Sequence, residues 1–225
     1  MKDLTWESRL GAARHPFGDP DEIMNLMRSV FQESPAVTCL FAGSVQHMMR
    51  DLLAAEHRAF HQWGSWFELG PISAETWRKG LGRRANRATM RFDPFALDRL
   101  VELGEGQART TMLLAQQAYV AAVAEGRTEM DLATVEVGLE QAMNAEIAAH
   151  QAAVEQIRRM GRRALDVAVR IASGEPPYGS GSPNTAKRAI DSLADQGFVE
   201  RRGAVGRGGW TILDPLLRRY LARMG

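Results

Sequence analysis

Apolar residues recur at helical spacing over most of this chain, interrupted by one short continuous apolar run and closed by two strand-like segments. Asp19-Pro20 opens the first predicted helix, with a capping carboxylate followed by a proline whose missing N–H costs nothing at the first helical position. Ile23, Leu26, Met27 and Val30 then share one face. The same i, i+3, i+4 pattern predicts a helix over 44–59, capped by Ser44 and turning Val45, Met48, Met49, Leu52 and Leu53 inward. Others run from Ser73 to about Arg87 (Trp77, Leu81 inward) and from Asp93-Pro94 to Gly104 (Phe95, Leu97, Leu100, Val101). A longer helix is expected over 107–124 on Met112, Leu113, Ala115, Tyr119 and Val123. Two more follow, over 131–153 on Val135, Leu139, Met143 and Ile147, and over 154–172 on Ile157, Leu165, Val169 and Ile171. Residues 1–19 show no sustained period and read as an irregular arm, and 60–71 as an aromatic-rich connection with a short extended piece at 66–69.

The continuous apolar run is 37–42, Val-Thr-Cys-Leu-Phe-Ala, bounded by Pro35 and Gly43. Its length and β-branched and aromatic content predict a strand buried on both sides, as in a parallel sheet. Nothing else in the first hundred residues reads as its neighbour. A lone strand leaves backbone groups unpaired, so the sequence calls for a sheet supplied by another chain or by the rest of a larger protein.

The C-terminal stretch is the most informative. Ser182-Pro183 begins a helix with Ala186, Ala189, Ile190 and Leu193 on one face, and Gly197 supplies the left-handed residue that ends it. Two strand-like runs, 198–202 and 210–213, flank a Gly-rich loop bearing Arg207. Helix, tight turn and hairpin with a basic tip is the outline of a winged helix-turn-helix. The segment 174–181 is too short for a full helix, so the middle helix of such a unit is reduced to a turn or missing. The outer helix face carries Asn184, Thr185, Lys187, Arg188 and Asp191, side chains that reach phosphates or base edges, and the hairpin adds Arg201, Arg202 and Arg207. A winged helix serves equally as a protein-docking module, and a polar helix face can simply be solvated.

Charge sharpens this picture. The net charge is +1, but residues 157–225 hold 13 Lys and Arg against 6 Asp and Glu, so a basic end of +7 follows a body of −6. Anionic partners, double-stranded DNA among them, are drawn to that end. With 45% hydrophobic residues in 225, there is ample apolar surface for a core. No apolar run is long enough to span a bilayer, and no basic-then-apolar leader opens the chain, so neither a membrane partner nor a signal peptide is expected. A single cysteine, Cys39, fits a reducing cytoplasm.

Catalytic motifs are wanting. No Gly-Lys pair occurs, so G-x-x-x-x-G-K-[ST] is absent, and no apolar strand ends in Asp-Glu to hold Mg²⁺. The chain has no P-loop of its own for ATP hydrolysis, which leaves its standing as an enzyme open. His57 and His61 share a helix face without His-Glu-x-x-His order or a cysteine pair, so no metal site is assigned. No G-x-S-x-G elbow surrounds Ser44. Trp63, Trp66 and Phe67 read as core beneath a loop, and Met48, Met49 and Met112 as core filler.

In order and spacing, IMNLMRSVF…VTCLFAGSVQHMMRDLL, ELGPIS…W, LVELGEGQARTTMLLAQQAY and AIDSLADQGFVER…GWTILDPLLRRYL resemble the C-terminal part of archaeal-type AAA+ ATPases, over about residues 20–225. The resemblance implies a last core strand and its helix, a helical lid and a closing winged helix. It places Ser44 at the sensor-1 position, where helix capping is an equal use, and Arg109 in the sensor-2 region, although Gly106-Gln107-Ala108 stands where the family often shows Gly-His-Pro. No cofactor is expected for the isolated chain. ATP and Mg²⁺ enter only if a P-loop core is supplied elsewhere.

The expected architecture is therefore mainly α: an arm at 1–19, a remnant of a P-loop core with its α/β strand at 20–72, a lid-like helical bundle at 73–153 and a winged helix at 154–225. The function expected is that of an AAA+ ATPase fragment or relative that lacks its P-loop and binds DNA or docks on a partner through the winged helix. The alternative is a subunit that completes an ATPase in trans, self-associating or pairing with a P-loop-bearing chain through 37–42 and lending Ser44 and Arg109 to a shared ATP site. A third reading, a transcription regulator whose helical body senses a ligand, has no pocket signature in the sequence.

Overall fold

A computed structural model describes residues 19–225 apart from 35, 37, 44–48, 50–52, 54–57, 66, 68, 180–181 and 202–208. The fold is mainly α. The chain forms two compact units, Met1–Glu68 and Leu69–Gly225.

In the first unit, α1 spans Pro20–Gln32, and the Asp19 side chain accepts from the Asp21 N–H as a capping residue should. An aromatic cluster anchors this piece: Phe31 stacks on Trp63 with ring centroids 6.0 Å apart, and Phe60, fully buried, lies 4.8 Å from Phe41. Arg58 pairs with Asp21 at 2.5 Å. Leu26 and Val30, expected inward, are exposed. Residues 38–43 form no strand, and Leu40 is 90% exposed. The cause is the one the sequence indicated, since no neighbouring strand lies among the described residues; Val37 itself lies outside them. Phe67, expected in a core, is 80% exposed, while Trp66, Met48, His57 and the capping position Ser44 lie outside the described residues.

The second unit contains α2 (Ala74–Arg87), β1 (Arg91–Phe92), α3 (Pro94–Gly104), α4 (Ala108–Ala124), β2 (Glu129–Met130), α5 (Leu132–Ala145), α6 (Ile147–Arg159), α7 (Arg162–Ala172), α8 (Pro183–Asp195), β3 (Val199–Arg201), β4 (Trp210–Ile212) and α9 (Pro215–Ala222). Asp93 and Asp131 each cap a helix directly after a two-residue strand, and those strands pair in parallel, Arg91 with Glu129 and Phe92 with Met130. A two-residue strand has no periodicity, so the sequence pattern does not reveal this ladder.

Two helix expectations are corrected. The run expected as 131–153 and 154–172 is three helices, broken at Glu146 and Gly161. Glu146 ends α5 and begins α6, donating to Ala142 O while its own carbonyl accepts from His150. No glycine or proline marks that bend, so the apolar pattern runs through it unbroken. In α4 the buried face is Thr110, Thr111, Leu114, Ala118, Ala121 and Ala122, while Tyr119 and Val123 are exposed. Small residues face inward because α4 and α5 approach closely: a Cβ on Gly138 would lie 2.6 Å from the Ala118 nitrogen.

Two apolar clusters result. One joins α2 to α5 around Leu100, Leu103, Leu114 and Val135, and the other joins α6 to β4 around Ile157, Val167, Ile190 and Leu193. α9 serves both, with Leu216 in the first and Leu217 and Leu221 in the second.

Candidate functional site

α8 is positioned by the face the sequence marked. Ala186, Ala189, Ile190 and Leu193 are buried, largely against α7, so Asn184, Thr185, Lys187, Arg188 and Asp191 all face solvent. Lys187 and Arg188 have no carboxylate partner among the described residues. Ser182 stands at the N-cap but makes no side-chain capping bond, which differs from expectation. Where a middle helix would lie, the described residues form a turn at 177–179, held by Arg163 Nη2 donating to Tyr178 O at 2.7 Å and Arg170 Nε to Pro176 O at 2.9 Å. Gly197, at φ 73°, turns the chain out of α8 into β3. The antiparallel pair β3–β4 sets Arg201 opposite Trp210, with the Arg201 side chain exposed. Arg202 and Arg207 lie outside the described residues.

Arg109 occupies the first turn of α4, and its Nη2 donates to Glu146 Oε2 at 2.6 Å. That hydrogen bond raises the guanidinium's pKa above its ordinary value. The side chain is 66% exposed, so the pair adds little stability. Ser44, the other sensor-like residue, lies outside the described residues.

Beside this pair opens a cleft of about 260 Å³, lined by Arg109, Glu146, His150, Phe198, Asp214 and Leu217 among others. His150 is only 3% exposed and its ring nitrogens have no hydrogen-bond partner among the described residues, while its ring lies 5.3 Å from that of Tyr220. Burial holds its pKa below the ordinary value, and nearby Arg109 acts in the same direction against the opposing pull of Asp214 and Glu146. Sequence reading missed His150 and Glu146, because the residues that meet here come from helices whose boundaries were invisible. Across the same junction, Arg218 binds Glu105 with both guanidinium amines, Nη1 at 2.9 Å, and Gln107 donates to the Leu213 carbonyl. Among the described residues there is no cluster of ligands fit for a metal ion, and no helix is long and apolar enough to cross a membrane.

No family model and no curated protein matches the sequence. Among solved structures, a Walker-type ATPase of Pyrococcus abyssi is similar in fold, with a TM-score of 0.66 and 16% identity, covering 89% of this chain. This chain spans 57% of that structure's length. The mainly helical arrangement is thus shared with a Walker-type ATPase, and at this identity the likeness is one of fold.

Proposed function

We propose that this chain corresponds to the last core strand, helical lid and winged helix of a P-loop ATPase relative, and that α8 with the β3–β4 hairpin contacts double-stranded DNA. The observation that carries the DNA reading is the outer face of α8, where Asn184 and Thr185 precede two cations, Lys187 and Arg188, that have no ion-pair partner among the described residues. Arg201 extends that charge onto the hairpin, with Arg202 and Arg207 following in sequence. Unpaired cations beside short hydrogen-bonding side chains suit phosphate contact with base edges within reach. ATP hydrolysis forms no part of this reading.

The test is the salt dependence of binding to a labelled DNA duplex. Each phosphate contact contributes about 0.9 to the slope of log K against log salt, so Lys187→Ala/Arg188→Ala/Arg201→Ala should make that slope shallower by about 2 to 3. Unchanged binding by this variant overturns the DNA reading and leaves α8 a docking face for protein.

A second reading has its own support. Residues 38–43 form no helix or strand, Leu40 is exposed, and the chain spans little more than half of the ATPase it resembles in fold. A second copy of this chain would pair with 37–42 without a P-loop to bring ATP and Mg²⁺, whereas a separate P-loop-bearing chain would pair there and bring both to Ser44 and Arg109. Arg109 would have to leave Glu146 to reach a phosphate. Mixing with such a chain should then give ATPase activity that Arg109→Ala abolishes; a chain that stays monomeric at high concentration counts against the pairing.

A further inference from the structure

The densest positive charge on any described helix lies on α2, Ala-Glu-Thr-Trp-Arg-Lys-Gly-Leu-Gly-Arg-Arg-Ala-Asn-Arg, with five Lys and Arg and a single acid, Glu75. Trp77, Leu81 and Ala85 turn into the first core cluster. At 100° per residue the opposite face is then Lys79, Arg83 and Arg87, successive at i, i+4 and i+8, while Arg84 lies on the flank nearest Trp77. All four are exposed. Arg78, on the flank, is neutralised by Asp98. Lys79, Arg83, Arg84 and Arg87 have no carboxylate in ion-pair reach among the described residues; Arg83 Nε donates only to the Lys79 carbonyl, at 3.3 Å. Arg84 and Arg87, in the last turn, complement the helix dipole. Lys79 and Arg83 lie too far upstream for that use.

A second feature of the same helix points the same way. Gly80 and Gly82 are interior helical positions, where glycine costs stability relative to alanine. Neither is imposed by packing, because a Cβ built on either meets nothing within 4 Å. Gly80 is one turn before Arg83 and Arg84, so the helix backbone is bare beside the cationic stripe, where a polyanion can approach closely.

We propose that this face of α2 is a second nucleic-acid contact, a sequence-independent seat for the phosphate backbone of duplex DNA. Charge complementarity sets the occupant's sign, and the rise of about 6 Å between i and i+4 along a helix spreads the cations along a linear polyanion. Arginine forks match phosphate oxygens. A lipid surface fits poorly, because the apolar side of α2 is already spent on the core and cannot enter a membrane. The inference does not rest on the α8 reading.

Duplex binding over a salt series, measured on the full chain, tests it. Lys79→Ala/Arg83→Ala/Arg87→Ala should weaken binding tenfold or more at low salt and flatten the slope by about 2 to 3, with the loss recurring in the α8 variant background. A second variant separates contact from folding: Gly80→Gln should raise the melting temperature while weakening duplex binding. Wild-type affinity in the triple variant overturns the proposal. So does loss of binding to anionic vesicles or polyglutamate in the triple variant with duplex binding unchanged, which would assign α2 to a lipid or an acidic protein. Failure of the α8 variant alone to alter binding sinks the earlier reading and leaves this one standing.

Discussion

The same substitution has opposite outcomes at two glycines of the second unit, and contact geometry decides the sign. At Gly138 a methyl group would collide with the α4 backbone at Ala118. Backbone cannot rotate aside, so Gly138→Ala should cost ~1–3 kcal/mol in urea unfolding as an overpacking change. At Gly80 the methyl meets open space, so Gly80→Ala should add up to about 1 kcal/mol through helix propensity alone. His150 sets a residue-scale pH dependence. Its folded pKa lies below the ordinary 6.5, mainly through burial. The unfolded chain therefore takes up the proton first as pH falls. Stability should be fully present above about pH 6.5 and decline below it towards the folded pKa. Arg109 on α4, Glu146 ahead of α6, Asp214 ahead of α9 and the Tyr220 ring are the groups around it. In thermal melts from pH 7.5 to 5, His150→Leu should flatten that acid decline; an unchanged profile would place its cause elsewhere.

At the scale of elements, legibility followed the caps. α1, α2, α3 and α8 begin within a residue of their expected starts, because Asp19-Pro20, Ser73, Asp93-Pro94 and Ser182-Pro183 are local signals that need no tertiary context. The bend at Glu146 was not legible, since the apolar period crosses it without a glycine or proline, whereas the bend at Gly161 was marked by a glycine, at φ 122°, that the unbroken apolar period masked. The inward face of α4 was misjudged for a related reason: large apolar residues suggest burial, whereas a close helix pair selects alanine and glycine. The outer residues of α8 were legible because its four inward positions fix everything opposite them. Caps also carry energy. Asp214 Oδ1 accepts from the Leu216 and Leu217 N–H groups at 2.8 and 3.1 Å. Asp214→Ala should cost about 1 kcal/mol, with Asp214→Asn recovering much of it, as read by chemical denaturation.

Over the whole molecule, the formal charge of +1 conceals a division of labour among cations. Some tie elements together, as Arg99 does with Glu136, Arg223 with Glu140 and Arg78 of α2 with Asp98, while Lys79, Arg83, Arg84 and Arg87 on α2 and Lys187 and Arg188 on α8 face outward with no ion-pair partner among the described residues. Counting charges by segment revealed the basic C-terminal end but missed α2, whose charge was averaged into an acidic body. Arg218 and Glu105 are the most enclosed of the linking pairs in the second unit. Arg218→Ala, Glu105→Ala and the double variant should show a coupling on the order of 0.5–3 kcal/mol, whereas additive losses would mean that the contact contributes nothing of its own. The fold shared with a Walker-type ATPase extends over most of this chain but little more than half of that one, so the sheet neighbour that the sequence called for at 37–42 remains the expectation that bears most directly on partners.

The adjacent residues Leu216 and Leu217 fill different cores. One turn of α9 therefore pins both interiors of the second unit, and neither can loosen there without disturbing the other. Damage to that turn would open two interiors at once.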